Sequence, residues 1–149
     1  MKHLNNKGFT LLEIMITIII VAIVFGLVAN IVGVSTKFFT DESSQQVNQE
    51  NVRITSVMFD KDVRTRIQSV ADFNIVSGCY NLGASSPDIY CYNSGTKQVT
   101  RNGSVIAKSI QTFNAVLDST ENSILLTIRS VADNRGNTNE IIVKIYLRF

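Results

Sequence analysis

The chain has 149 residues, about the size of one domain, and 45% of them are hydrophobic. A formal net charge of +2, with 17% charged residues, excludes a disordered chain and a protein that binds nucleic acid through bulk positive charge. His3 is the only histidine and lies in a short basic stretch, so a histidine-based catalytic triad is not expected. We therefore predict a protein that is not an enzyme and has no cofactor and no metal site.

A long segment without charge follows this basic stretch. About 23 residues, 14–36, contain no Asp, Glu, Lys or Arg. As a helix they would extend roughly 34 Å, enough to cross a hydrocarbon layer of about 30 Å. A secretory signal peptide has a shorter apolar region, and a buried core helix carries a polar stripe that this segment lacks. We predict a transmembrane helix at residues 9–39, with Lys2 and Lys7 on the cytoplasmic side and the rest of the chain outside.

One acidic residue, Glu13, stands at the entrance to this apolar segment. An unpaired carboxylate at the rim of the hydrocarbon layer costs a few kcal/mol on membrane-insertion scales. We therefore expect Glu13 to have a positively charged partner.

The residues around Glu13 form a motif. The run 8–13, Gly-Phe-Thr-Leu-Leu-Glu, follows a short basic leader, precedes the apolar helix and resembles the N-terminus of type IV prepilins and pseudopilins. This resemblance implies that an aspartyl prepilin peptidase removes residues 1–8 by cutting after Gly8 and methylates the new amine of Phe9. It also implies that Glu13 pairs with the terminal amine of a neighbouring subunit and sets the register of assembly. A glycine suits the cleavage site because it lets the peptidase approach the backbone closely.

The resemblance also implies partners and a location. The partners are other pilin subunits in a helical filament, the prepilin peptidase, an inner-membrane assembly platform with its ATPase, and membrane lipid before assembly. The location is the cytoplasmic membrane, crossed once with the C-terminal domain outside, and then a pilus or the cell surface. The resemblance leaves three machines open: a twitching pilus, a competence pilus and a type II secretion pseudopilus.

The chain departs from many pilins in lacking a proline within the apolar helix, since Pro87 is its only proline. Gly26, Asn30 and Gly33 are the weak helix formers there. Two interpretations stay open for the glycines: local melting of the helix in a filament, or close packing against neighbouring helices.

Residues 40–149 are predicted to form an extracytoplasmic domain. Apolar residues recur with a period near 3.6 after residue 47, which predicts that the helix continues to about Val70, with a break near Asp41 left open. Alternation and turn residues then predict strands, and Asn102-Gly103 is a strong hairpin signal. The predicted strands lie at 90–92, 98–100, 105–107, 110–117, 123–130 and 141–149. The predicted fold class is α+β and pilin-like, with one antiparallel sheet packed on the outer half of a long N-terminal helix.

Cys79 and Cys91 are predicted to form a disulfide, because the topology places both outside the cytoplasm, where disulfides persist. Closing a loop of about a dozen residues stabilises a fold by about 3 kcal/mol in the chain-entropy model. The alternative is two reduced cysteines. Their spacing is not that of a redox Cys-x-x-Cys motif.

Three aspartates in the outer helix and just beyond it resemble a carboxylate cluster, but they alternate with basic side chains. This pattern is typical of a solvated helix face, and we interpret it so. The aspartates are Asp60, Asp62 and Asp72, and the basic residues are Lys61, Arg64 and Arg66.

Tyr80, Tyr90 and Tyr92 surround the cysteine loop, and we interpret them as half-buried strand aromatics rather than an exposed contact patch. The basic residues of the C-terminal half do not cluster in the sequence, so DNA binding by this chain is not favoured.

The leading functional interpretation is a structural subunit of a pilus or pseudopilus. The C-terminal half, with Tyr-x-Tyr at 90–92 and Thr-Arg-Asn-Gly at 100–103, resembles minor pilins, so a minor subunit is favoured over a major one. Two alternatives remain: an adhesion or DNA-uptake module displayed on such a filament, and an unprocessed single-pass membrane protein.

Overall fold

The computed structural model describes residues 10–148 of the chain. A long helix, α1 (Leu11–Arg66), precedes a short 3₁₀ helix, η1 (Val70–Asp72), and eight strands. The strands are β1 (Phe73–Val76), β2 (Cys79–Leu82), β3 (Asp88–Asn93), β4 (Gln98–Arg101), β5 (Ser104–Ala107), β6 (Ile110–Asp118), β7 (Ser123–Ser130) and β8 (Glu140–Tyr146). The α+β class, with an N-terminal helix followed by antiparallel strands, is confirmed. The chain divides into two compact units, one up to Thr40 and one from Asp41 onward.

Helix α1 runs without a break through the polar region near Asp41 and ends at Arg66, earlier than predicted. It stops because the carboxylate of Asp72 accepts hydrogen bonds from the amides of Gln68 and Ser69, both at 2.8 Å. These amides are then not donated to helical carbonyls. Val70, the predicted helix end, therefore lies in η1.

The part of α1 within the second unit is amphipathic, as the sequence predicts. Its buried positions recur every three or four residues, so they share one face of the helix. They are Asn48, Val52, Thr55, Ser56, Phe59, Asp62 and Val63.

The strands form two antiparallel sheets, which corrects the prediction of one. Strands β1–β5 make a five-stranded meander in chain order, and β6–β8 make a second sheet of three strands. Between β5 and β6, Ser109 adopts a left-handed conformation (φ 57°), and the amide of Ile110 donates to the carbonyl of Lys97. Strand β6 therefore leaves the first sheet instead of pairing with β5.

The six predicted strands correspond to β3–β8, but β8 ends at Tyr146, so Leu147 and Arg148 lie beyond the strand that was predicted to continue to 149. Phe149 itself lies outside the described residues. The hairpin at Asn102-Gly103 is confirmed, with φ 51° and 82° as a mirror-image two-residue turn requires. Strands β1 and β2 were not predicted. Their turn at Ser77-Gly78 has the same pair of positive φ angles, 52° and 78°.

The core of the second unit is centred on Phe59 of α1. Its ring lies 5.0 Å from that of Tyr90, 6.5 Å from Tyr80 and 5.6 Å from Phe113, all edge to face. The helix thereby meets both sheets at one aromatic cluster. Tyr80 and Tyr90 are buried and Tyr92 is partly buried, which confirms that these tyrosines pack within strands.

Asp62 corrects the prediction of a solvated helix face. Its side chain is buried, and its Oδ2 accepts hydrogen bonds from the Tyr90 hydroxyl at 2.5 Å and from Arg101 Nε at 2.6 Å. The pKa of the Tyr90 phenol is raised, mainly by burial and secondly by the hydrogen bond to Asp62. The phenol therefore stays protonated and donates the hydrogen bond. Asp60 does pair with Arg64 on the helix surface, as predicted.

A second buried carboxylate, Asp88 at the start of β3, continues this network. It accepts hydrogen bonds from Arg66 Nε and Asn102 Nδ2, both at 2.8 Å, and pairs with Arg101 Nη2 at 3.1 Å. Burial raises the pKa of Asp88, but the bonds from Asn102 and Arg66 and the two guanidinium charges outweigh it, so the net shift is downward. The network ties the end of α1 to β3 and β4.

The disulfide between Cys79 and Cys91 is confirmed. The two residues lie directly opposite each other on β2 and β3, with their Cα atoms 4.3 Å apart. The bond therefore braces β2 and β3 on either side of the loop at 83–87.

Candidate functional site

The predicted site residues are concentrated at the start of α1. Gly8 and Phe9, the predicted cleavage and methylation positions, lie outside the described residues. Glu13 lies in the first turn of α1. Glu13 belongs to residues 10–40, the described part of the first unit.

Thr10 caps the helix. Its hydroxyl accepts a hydrogen bond from the amide of Glu13 at 3.3 Å, and its carbonyl accepts from the amide of Ile14 at the same distance. A side-chain acceptor at this position satisfies one of the amides that a helix N-terminus leaves unpaired. Because Thr10 follows Gly8 in the chain, removal of residues 1–8 would leave this cap in place.

The cap also fixes where Glu13 stands. As the third residue of the helix it lies within the first turn, where the partial positive charge of the helix N-terminus favours a carboxylate. The Thr-x-x-Glu spacing of Thr10 and Glu13 is a known helix-start signature. Reading that signature would have identified Thr10, which the sequence analysis missed.

Beyond the cap, the large apolar side chains of the first unit are exposed. Their exposed fractions range from 49% at Ile16 to 79% at Leu11, and Phe39 at the far end is 75% exposed. An 18-residue window of the helix has a mean hydropathy of 2.9. The helix is therefore long and apolar enough to cross a membrane.

Polar side chains in this apolar stretch bond to their own helix. Thr17 donates to the carbonyl of Ile14 at 2.8 Å, and the Asn30 amide donates to that of Gly26 at 2.9 Å. The Thr36 hydroxyl donates to the carbonyl of Gly33 at 3.0 Å. These contacts satisfy donors that would otherwise be costly in hydrocarbon.

The two glycines of the apolar stretch do not interrupt the helix. A Cβ atom added at Gly26 or at Gly33 would meet nothing within 4 Å, so no contact in the described chain requires a glycine there. Both positions therefore leave a shallow surface that a neighbouring helix can approach closely.

Among residues 10–148, no group of three or more His, Cys, Asp or Glu side chains is placed to hold a metal ion. The described geometry of the first unit is that of a capped, apolar, membrane-length helix with one acid near its start.

A comparison with family models matches residues 3–29 to the prokaryotic N-terminal methylation motif. A search of the curated proteins and a search of the solved structures each returned no match. The matched residues span the predicted cleavage site, Glu13 and most of the apolar segment. The matched motif, followed by a long apolar helix and then antiparallel sheets, agrees with what the resemblance to type IV prepilins and pseudopilins implies.

Proposed function

We propose that the chain is a minor structural subunit of a type IV pilus or pseudopilus. The observation that carries this proposal is the match of residues 3–29 to the methylation motif, because this motif marks substrates of prepilin peptidase. The minor role is supported by the resemblance of the C-terminal half to minor pilins. The same motif points to a structural subunit rather than an enzyme.

In this proposal the peptidase cuts after Gly8 and methylates Phe9. Residues 1–8 carry Lys2 and Lys7, so their removal leaves equal numbers of basic and acidic side chains, twelve of each. Cleavage also converts the start of the apolar helix into a free amine four residues before Glu13. The Thr10 cap keeps the first turn of α1 formed after the leader is lost.

The disulfide supports the proposed topology. Disulfides persist outside the cytoplasm, and Cys79 and Cys91 are bonded in the second unit. The lysines of the leader favour the cytoplasmic side of the membrane. The helix would then cross the inner membrane with residues 41–149 outside, until the assembly platform and its ATPase move the subunit into the filament.

Assembly moves the apolar helix from lipid into a bundle of similar helices. Both surroundings are apolar, so the hydrophobic effect contributes little net drive to this step. A specific polar pair is therefore needed to select the register. Glu13 and the amine of Phe9 in a neighbouring subunit supply opposite charges, each costly alone in a low-dielectric bundle and less costly together.

The incorporation of a Glu13→Ala chain into sheared filaments tests this proposal. We expect normal removal of the leader but a recovery of the chain in the filament fraction at most about one tenth of wild type, because a lost charge-assisted bond is worth roughly 1.5–3 kcal/mol. Immunoblots of the membrane and filament fractions measure both steps.

The matched control is Glu50→Ala, which removes an exposed carboxylate of the same helix whose ion-pair partner among residues 10–148 is Arg53. This variant should reach filaments at wild-type levels. Wild-type recovery of Glu13→Ala would remove Glu13 from the mechanism, whereas failure of both variants would show that the assay reports general loss of charge.

A further inference from the structure

A pocket of about 330 Å³ opens at the C-terminal end of α1, where the buried ion network reaches the surface. We propose that it binds a single oxyanion, a phosphate or a carboxylate group. The proposal concerns the folded second unit and does not rest on the filament role. The pocket is lined by Lys61, Asp62, Thr65, Arg66, Asp88 and Arg101.

The two carboxylates of the pocket are already fully engaged. Asp62 accepts the Tyr90 hydroxyl through Oδ2 and is bound by Arg101 through both oxygens. Asp88 accepts Asn102 and Arg101 through Oδ1 and Arg66 through Oδ2. Every carboxylate oxygen thus faces a donor from the protein, which leaves no position for a cation.

The cationic side chains of the pocket, in contrast, keep unused donors. Within residues 10–148, Arg66 donates only through Nε, Arg101 leaves its Nη1 unused, and Lys61 donates no hydrogen bond through Nζ. Arg66 is about half exposed, at 49% of its side chain, and Arg101 is 31% exposed. The unused donors are therefore within reach of a ligand from solvent.

The net charge of the pocket and the geometry of its donors both favour an oxyanion as the ligand. Three cations and two carboxylates leave one excess positive charge at the pocket. Guanidinium groups present their N–H donors in a flat fork that matches carboxylate and phosphate oxygens. Because the buried aspartates already hold Arg66 and Arg101 in place, less side-chain freedom is lost when a ligand binds.

A second pocket of about 260 Å³ shares Thr65 and Arg66 with the first. Its other lining residues include Ser85 and Ser86, in the loop between β2 and β3, and Asp72, whose Oδ2 accepts hydrogen bonds from the amides of Gln68 and Ser69. Gly83 (φ 104°) brings this loop against Arg66, since a Cβ there would lie 3.5 Å from the Arg66 Cβ. The hydroxyls of Ser85 and Ser86 can donate hydrogen bonds to further oxygen atoms of a bound phosphate or carboxylate compound.

Calorimetric titration of the full chain in detergent micelles tests the site, with inorganic phosphate and acetate as separate probes. We expect wild type to bind at least one of them. The double substitution Lys61→Gln with Arg66→Gln should weaken that binding by about tenfold or more, as expected for the loss of charge-assisted hydrogen bonds. Tighter binding of phosphate would indicate a phosphate ligand, and tighter binding of acetate a carboxylate ligand.

The charge-matched control is Arg53→Gln with Lys108→Gln, which removes one paired arginine and one exposed lysine away from the pocket. It should bind within about twofold of wild type, since distant exposed charges are largely screened by salt. Unfolding midpoints show that both variants fold; the pocket variant leaves Asp88 bound by Arg101 and Asn102. The proposal is overturned if wild type binds neither probe, or if the pocket variant binds as well as the control.

Discussion

The two units of the chain differ in the exposure of their apolar side chains and in the hydrogen-bond partners of their polar side chains. In residues 11–40 the large apolar side chains are exposed, and the polar ones bond to backbone within their own helix. In residues 41–148 apolar side chains close around Phe59, and polar ones such as Asp62 bond to partners far away in the sequence. The exposed apolar surface of residues 11–40 is removed from water only when other apolar groups lie against it. The core of residues 41–148 is buried by side chains of that unit.

This difference gives the two units different responses to a change of surroundings. A helix whose polar groups are satisfied internally can exchange lipid for neighbouring helices without breaking contacts of its own. A domain whose core is closed keeps its structure while its surroundings change. Substitutions of the same chemical kind should therefore have different effects in the two units.

The largest such difference is expected for phenylalanine. Phe59→Ala opens a cavity at the centre of the aromatic cluster and should lower the free energy of unfolding of the second unit by about 3–5 kcal/mol. Phe25, which is 71% exposed, contributes nothing to that core. Phe25→Ala should change the same quantity by less than about 0.5 kcal/mol. Chemical unfolding in micelles, followed by near-ultraviolet circular dichroism, measures both.

Comparable losses for the two variants would contradict the separation of the units. They would mean that the core of the second unit depends on side chains of the apolar helix. A loss confined to Phe59→Ala would confirm that the second unit is stabilised by its own core.

The disulfide should have the next largest effect. Replacing Cys79 and Cys91 together by Ala removes the brace between β2 and β3, and we expect a loss of about 3 kcal/mol in the free energy of unfolding. For a domain of this size that corresponds to a melting temperature lower by roughly 10 °C. Scanning calorimetry measures the shift. An unchanged melting temperature would show that the strand pairing holds without the covalent bond.

A smaller effect is expected from acid. The pKa of Asp88 lies below its ordinary value of 3.8, because hydrogen bonds from Asn102 and Arg66 and the nearby guanidinium charges outweigh burial. Its contribution to stability is therefore complete above about pH 4 and is lost as the pH falls through the lowered folded-state value. Unfolding free energies at pH 5 and pH 3 measure this loss. Asp88→Asn should lose less stability over that interval than wild type, and an equal loss would assign the effect to other acids.

Local signals in the sequence predict most of the architecture. The charge-free run predicts the apolar helix, the Asn102-Gly103 pair predicts its hairpin, and alternation predicts β7 and β8. Each of these features depends on residues that are close together in the chain. The strands β1 and β2 carry an equally local signal at Ser77-Gly78, which was overlooked.

Long-range features could not be predicted in the same way. The partners of Asp62 are Tyr90 and Arg101, 28 and 39 residues away, and no local pattern connects them. The helical spacing from Phe59 does place Asp62 near the buried face, three positions later, so its burial had a signal although its partners had none. The division into two sheets depends on the left-handed backbone conformation of Ser109. Serine rarely adopts this conformation, so the sequence does not predict it.

A Gly8→Asp variant tests the proposed cleavage after Gly8. A bulky acidic side chain at this position should block the close approach of the peptidase to the backbone. The variant should therefore keep residues 1–8 in the same cells in which wild type loses them. A variant trimmed like wild type would refute the assignment of Gly8 as the cleavage position.

The decisive measurement is the mass of the N-terminal peptide of the wild-type chain, taken from cells that contain an active prepilin peptidase. A prepilin of this sequence should begin at Phe9 and carry one methyl group on its terminal amine. A chain that still begins at Met1 under these conditions would contradict the proposal that proteolysis creates the positive partner of Glu13.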